Sequence, residues 1–303
     1  MQSGIGLAAA KTFAAKGMKV FLADIHPEHL RTAGEQVEAV IAENAVHGGE
    51  VETMVVDVSK LEDVVRMKEK VIELWGEVAI LMNNASPSLP LHPHTIVFTN
   101  SRDPAYLGCK VRIRSYILIG KVARTAGARM EQCPRCEFTR SRAWLCGIRS
   151  DHGITTPPGN AVYNVSKSAV KTLTEQLAHE LRNTPGSKCT AHLFIPGWVH
   201  TGDRARSGQP KPPGAWTPEQ TVLYMLDKLA QGQFYILCPD NDVSTELDKL
   251  RINWALGDIL EDRPALSRWH PEYKARFDEY IKNNMGLKAR SRSRGRVGGM
   301  TEL

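Results

Sequence analysis

A tyrosine and a lysine four residues apart on a helix share one face. Tyr163 and Lys167 stand at that spacing. A phenol titrates at about 10 in water, and an ammonium beside it favours the phenolate, so such a pair can give or take a proton nearer neutral pH. The spacing alone decides nothing, because it recurs at Tyr106/Lys110 and Tyr224/Lys228. Context separates the three. Only Tyr163 follows a serine by thirteen residues, Ser150, with Gly153 and Pro158-Gly159 between them. Only Tyr163 is followed by a long helical stretch, a strand-like run and then Pro196-Gly197-Trp198-Val199-His200-Thr201. Tyr106 lies in an irregular stretch, and Tyr224 reads as a helix residue packing beside Leu223 and Leu226.

A second chemistry-bearing group opens the chain. Gly4-Ile5-Gly6 leads directly into an Ala-rich helical stretch. Glycines there let the backbone approach a pyrophosphate, which the positive end of the helix favours. A plain tight turn has the same look. Asp24 stands eighteen residues beyond Gly6, at the end of an apolar run. A carboxylate at such a place accepts both ribose hydroxyls of NAD and repels the 2′-phosphate of NADP. Neither Ser3 nor Ile25 is the Arg or Lys that would attract that phosphate. A turn or helix-cap role for Asp24 is the alternative.

These groups need elements to hold them. Residues 4–16 read as a helix closed by Gly17, and 19–23 as a strand buried on both faces. Residues 27–44 read as a helix with Leu30, Ala33, Val37 and Val40 on one face, 51–56 as a strand, 60–75 as a helix and 78–82 as a strand. After Ser150 the pattern continues with helices at 160–183, 218–231 and 243–261 and strands at 189–194 and 234–237. Residues 87–149 lack clean periodicity; 116–119 and 143–147 are their strand-like runs. The alternation predicts an α/β, doubly wound, mostly parallel sheet with helices on both faces, a Rossmann fold. One nucleotide-binding domain is expected over residues 1–286, atypical at 87–149. Residues 287–303 read as a basic, disordered tail.

With 303 residues, 42% hydrophobic and 24% charged, the chain has the make-up of a soluble globular protein able to bury a large core. No stretch approaches the roughly 20 apolar residues of a membrane span, and no basic-then-apolar leader is present. Six cysteines over this length do not make a disulfide framework, so a cytoplasmic setting is expected. The net charge of +6 is unevenly placed. Residues 87–149 hold 11 Lys/Arg against 3 Asp/Glu, residues 288–303 hold 5 against 1, and the remainder is net acidic. A nucleic-acid role would rest on those two segments alone and is not expected.

In order and spacing, Gly4-Ile5-Gly6, Asp24, Asp57-Val58, Asn83-Asn84-Ala85, Ser150, Tyr163-Asn164-Val165-Ser166-Lys167 and Pro196-Gly197 to Thr201 resemble the short-chain dehydrogenase/reductase family, in its compact single-domain branch. The resemblance covers roughly residues 2–86 and 150–285. It implies an NAD(P)-dependent alcohol dehydrogenase or carbonyl reductase. Tyr163 would be the general acid/base. Lys167 would hold the nicotinamide ribose and lower the pKa of Tyr163, and Ser150 would hydrogen-bond the substrate oxygen. Gly4, Ile5 and Gly6 would meet the pyrophosphate, Asp24 the ribose, and Asp57 the adenine edge, with Val58 beside it. Asn84 and Ala85 would lie along the cofactor. Pro196, Gly197 and Thr201 would line the nicotinamide end, Thr201 holding the carboxamide. NAD is the expected cofactor, with NADP disfavoured by Asp24. The resemblance further implies a small-molecule substrate and a homodimer or homotetramer, with no membrane partner.

Three departures stand out. The family opens with a strand and a Thr-Gly pair, and Gly4 and Gly6 match only its two later glycines. That strand would be central, so its loss is expected to leave unpaired backbone groups on both neighbours. Ser86 replaces a glycine. Residues 87–149 should carry a helix with a catalytic asparagine, yet Asn100, the one asparagine there, lies too close to Asn84. A second reading follows: a catalytically impaired Rossmann chain that survives as a binding protein, or an aberrant reading of the gene at its start and across 87–149. Cys133-x-x-Cys136 and His92-x-His94 lack partners at a metal-site spacing, so no metal is expected. Residues 204–218 match a substrate lid in the family, where Trp216 would line a pocket or pin the loop. Residues 263–269 would close the domain edge or a subunit contact.

Overall fold

The computed structural model describes residues 4–44, 49–84, 115–120, 144–148, 152–201 and 208–286. Its strands are β1 (Lys19–Asp24), β2 (Glu50–Val55), β3 (Ile80–Asn83), β4 (Ser115–Gly120), β5 (Trp144–Ile148), β6 (Thr190–Ile195) and β7 (Tyr235–Leu237). Its helices are α1 (Ile5–Ala14), α2 (Pro27–Glu43), α3 (Leu61–Trp75), α4 (His152–Thr155), α5 (Ala161–Asn183), α6 (Pro218–Ala230), α7 (Thr245–Leu260) and α8 (Lys274–Asn284). Local chemistry sets many of the ends. Pro27 and Pro218 open α2 and α6 at a position where the missing N–H costs nothing. Thr217 and Gln220 close a reciprocal capping box on α6, and the Ser244 side chain caps α7. Gly76, in the left-handed region, ends α3. Helix α8 was not marked in the sequence; none of its positions is fully buried, and its short apolar stripe, Phe277, Tyr280 and Ile281, is diluted by charged residues.

The strands form one sheet in the order β2-β1-β4-β3-β5-β6-β7. All neighbours are parallel except β4, which runs antiparallel to both β1 and β3. This corrects the expectation of unpaired groups at the centre of the sheet. The place between β1 and β3 is filled from within residues 87–149: all six residues of β4 register with β1, and Tyr116 to Ile119 register with β3. β3 ends at the carboxyl edge of the sheet, level with Tyr116, and β5 starts at the amino edge, where Trp144 registers with Ile80. Between β1 and β3, β4 therefore runs from the carboxyl edge to the amino edge of the sheet. The apolar run Tyr116-Ile117-Leu118-Ile119, with two β-branched isoleucines, suits a strand paired on both sides.

Side-chain alternation along β1 divides the core. Val20 and Leu22 face one layer with Ala9, Ala10 and Phe13 of α1, Leu30 and Val37 of α2, and Val222 and Met225 of α6. Phe21 and Ala23 face the other layer with Met67 and Val71 of α3. Leu181 of α5 packs with Cys189 and Ala191 at the start of β6. Burying each large side chain of this kind contributes about 1.5–3 kcal/mol. His192 on β6 is also buried, its Nδ1 2.7 Å from the Gln233 carbonyl and its Nε2 2.9 Å from Thr190 Oγ1. Burial, the larger effect, holds it below the ordinary histidine range against that carbonyl contact.

Candidate active site

In a doubly wound sheet, ligands bind at the carboxyl ends of the strands, where the strand order turns. Here that edge gathers Asp24 at the end of β1, Asn83 at the end of β3, Pro196-Gly197 after β6, and the N-termini of α1 and α5. Gly4 precedes α1 with φ 92° and ψ −168°, a conformation essentially reserved to glycine. Among the described residues no side chain caps α1, and no acidic residue lies in its first turn. Its leading N–H groups, on Ile5 and Gly6 among others, therefore have no intrahelical acceptor and favour an anion. A Cβ on Gly4 would lie 3.4 Å from Thr201 Cγ2, so the tertiary fold brings the first motif against the last.

Asp24 is buried, and its Oδ1 accepts the His26 N–H at 3.0 Å, while its carbonyl accepts Val56 N–H at 3.0 Å. The turn role open in the sequence is thus filled, at the position suited to a ribose. Asp57 Oδ1 accepts from Ser59 N (3.0 Å) and Ser59 Oγ (2.7 Å). The Asp57 N–H donates to Asp63 and, with Arg66 second, holds that carboxyl below its usual range. Val58 packs against the Phe21 layer. The Asn84 N–H donates to the Met82 carbonyl. Among the described residues Asn83 Oδ1, at the end of β3, is buried with no hydrogen-bond partner.

Asn160 caps α5, its side chain accepting the Tyr163 N–H at 3.2 Å. That fixes Tyr163 in the first turn, at the carboxyl edge, and Lys167 one turn deeper. Lys167 is only 6% exposed, and its Nζ lies 5.2 Å from the centroid of the Tyr163 ring. Ser168 Oγ donates to the Gly153 carbonyl, which ties α4 to α5. Asn164 is buried, and its Nδ2 donates to the Pro157 carbonyl, which holds the approach to the helix. Tyr224 and Lys228 reproduce the local geometry at 5.3 Å, as spacing alone requires. There the phenol donates to the Leu237 carbonyl and the ring meets Trp216 edge-on, so Tyr224 is a packing residue.

Residues 196–201 run beside this edge. Gly197 lies so close to the segment after β7 that a Cβ would come 2.9 Å from Asp240 Oδ2 and 3.0 Å from the Cys238 carbonyl. The Trp198 N–H donates to Asp240 Oδ2 at 2.8 Å, and the backbones of Trp198 and His200 bond to that of Trp216. Trp216 Nε1 donates to Asn241 Oδ1 at 3.0 Å, so this tryptophan pins the loop. Burial pushes the Cys238 thiol up to about 12, which makes it a packing group. In 263–269, Arg263 pairs with Asp258 and stacks on Trp254, whose Nε1 donates to Ser267, so this segment is tied to α7.

Ser150, Ala85, Tyr106/Lys110, the two metal-like pairs and the basic tail lie outside the described residues. Sequence reading missed Asn160 as a cap and Asp240 as an acceptor. Asn before a helical run and Asp-Asn-Asp after a strand are the signals that would have found them.

Comparisons with known proteins bear on the family and the fold. The family described as short chain dehydrogenase matches residues 1–211. A CLA biosynthesis dehydrogenase/reductase of Lactiplantibacillus plantarum is 24% identical over 282 residues, 92% of this chain and 88% of that one. An uncharacterized oxidoreductase of Thermotoga maritima is 29% identical over 58% of this chain, which spans 61% of that relative. Among solved structures, a short chain dehydrogenase/reductase from Burkholderia phymatum in complex with NAD superposes with a TM-score of 0.60 at 22% identity, covering 86% of this chain and 92% of its own. A short-chain dehydrogenase from Sphingobium yanoikuyae in complex with NADPH gives 0.54 at 17%, covering 86% and 92%. These neighbours share the doubly wound fold.

Proposed function

Because the chain belongs to the short-chain dehydrogenase family, we propose that it is an NAD(P)-dependent oxidoreductase that interconverts a small alcohol and its carbonyl compound, with NAD preferred. The observation that carries this reading is Tyr163 beside the buried Lys167 at the carboxyl edge of the sheet, the edge where Gly4 meets Thr201.

The residues present fit a nicotinamide dinucleotide. The uncapped first turn of α1 behind Gly4 suits a pyrophosphate, and the buried Asp24 suits ribose hydroxyls. Ile5 and Gly6 would serve the pyrophosphate, Asp57 and Val58 the adenine side, and Asn84 and Ala85 the middle. Pro196, Gly197 and Thr201 would serve the nicotinamide end. When bound, the dinucleotide supplies the hydride chemistry. Tyr163 holds the moving proton at its Oη, taking it from a substrate hydroxyl in oxidation and returning it to the carbonyl oxygen in reduction. The Lys167 charge favours the phenolate, and the Ser150 hydroxyl donates to the substrate oxygen. Residues 1–286 are taken as one domain with 287–303 appended. A cytoplasmic homodimer or homotetramer completes the proposal.

The test is a titration of the full chain with NADH and NADPH, followed by nicotinamide fluorescence, and turnover on a panel of alcohols and ketones. Tyr163→Phe should cut turnover by about 10²-fold or more and leave dinucleotide affinity within about 2-fold. A Tyr163→Phe enzyme with ordinary turnover removes Tyr163 from the mechanism. The reversed β4, which brings a strand's N-terminal end to the crevice, favours a second reading, a chain that binds dinucleotide without turnover. Saturable binding with no activity across the panel selects it.

A further inference from the structure

We propose that Asp240 is the positioning residue of the cofactor loop: from the segment after β7 its carboxylate fixes residues 196–201 so that Thr201 stands against Gly4. The proposal rests on the reading of that crevice as a dinucleotide site. The Asp-Asn-Asp run marks a turn there, but nothing in the residue order ties Asp240 to Trp198, 42 residues away.

The carboxylate acts on two segments at once. Oδ2 accepts the Trp198 N–H at 2.8 Å, and Oδ1 accepts the N–H groups of Asp242 at 2.9 Å and Val243 at 2.7 Å. Hydrogen bonds to an ionised acceptor are about twice as strong as neutral ones. The loop comes this close only because residue 197 is glycine, since a Cβ there would stand 2.9 Å from Oδ2. Cys238 N–H to the Ile195 carbonyl, at 2.9 Å, completes the seam between the ends of β6 and β7. From Trp198 onward the loop is extended along Trp216, with Val199 bridged to it. The anchor at Trp198 therefore sets where Thr201, three residues later, meets Gly4. Freed from it, the loop would exchange one position for several, and the dinucleotide would have to order it on binding.

The acceptor count distinguishes the variants. Alanine removes every acceptor. Asparagine keeps one oxygen and presents an NH2 group in place of the other, so either Trp198 or the 242–243 turn loses its partner.

The experiment compares wild type, Asp240→Ala, Asp240→Asn and, as a control for general destabilisation, Trp254→Phe, which removes the donor to Ser267 far from the loop. Three quantities are read: dinucleotide affinity by nicotinamide fluorescence, kcat at saturating dinucleotide, and hydrogen exchange of the Trp198 amide without dinucleotide. The expected result is an affinity loss of about 10-fold or more in Asp240→Ala, a smaller loss in Asp240→Asn, kcat within about 3-fold, and Trp198 protection lost in Asp240→Ala only. Trp254→Phe should leave affinity and Trp198 protection as in wild type.

Wild-type affinity in Asp240→Ala overturns the proposal, as does an equal loss in Trp254→Phe. If Asp240→Ala does not fold, Asp240→Asn and Gly197→Ala carry the same measurements, with weakened binding expected in both and unchanged binding overturning the proposal. Should wild type bind neither dinucleotide while Asp240→Ala still loses Trp198 protection, the anchor exists but the dinucleotide reading fails, and the proposed role fails with it. Retained Trp198 protection in Asp240→Ala refutes the anchor itself.

Discussion

Gly4→Ala isolates the cost of the turn that opens α1. Gly4 has φ 92° and ψ −168°, a region that side chains of L-residues enter at about 1–3 kcal/mol. The new methyl would meet Thr201 Cγ2 at 3.4 Å and Thr201 Cβ at 3.5 Å, ordinary van der Waals contacts. Such contacts are worth about 0.1–0.2 kcal/mol per atom pair in the favourable direction, so the whole penalty is conformational. Urea unfolding should show a loss of about 1–3 kcal/mol with an unchanged slope, and thermal unfolding a drop of about 2–4 °C per kcal/mol. Dinucleotide affinity should fall as well, because the backbone that faces the pyrophosphate must shift. The double variant with Thr201→Ser removes the methyl that the alanine touches and should recover none of the loss. A loss below about 0.5 kcal/mol would refute the reasoning, since it would mean that nothing holds Gly4 in its left-handed conformation. Recovery by Thr201→Ser would refute it differently, by showing the cost to be steric.

Two further outcomes follow from the fold. Leu118→Pro in β4 removes a ladder donor from a strand paired on both sides, between Phe21 and Leu81 in register; stability should fall by about 3 kcal/mol or more in urea, and a change under about 0.5 kcal/mol would show that Ser115–Gly120 does not fill the slot. Burial holds His192 below its unfolded value, so its contribution is complete above the unfolded pKa of about 6.5 and is lost as pH falls through the lower folded value. The urea midpoint should therefore fall on acidification from about pH 7.5 to 5.5, and His192→Gln should flatten that slope; an equal slope in both proteins removes His192 as a cause.

Much of the molecule is legible in the residue order because local rules decide it. The apolar run at Val20–Ala23 can satisfy its side chains only inside a sheet covered on both faces, and Phe21 and Leu22 are indeed buried in opposite layers. Asn160 capping a helix and a Tyr-Lys spacing of four residues place Tyr163 and Lys167 on one face with no help from the rest of the chain. The same rule gives Tyr224 and Lys228 the same geometry, so spacing cannot choose between the pairs. Only the tertiary structure does, by committing the Tyr224 hydroxyl to the Leu237 carbonyl and putting Tyr163 at the carboxyl edge. It also decided the centre of the sheet. A six-residue strand has no local signal for its direction or its neighbours, and it is the backbone ladders of β1 and β3 that pair with Ser115–Gly120 on both sides, antiparallel to each. Asp240 belongs with β4 in this respect: three N–H groups, one of them 42 residues away, give its carboxylate a role that no nearby residue implies, because hydrogen bonds between distant segments are written by the fold and not by the order of residues.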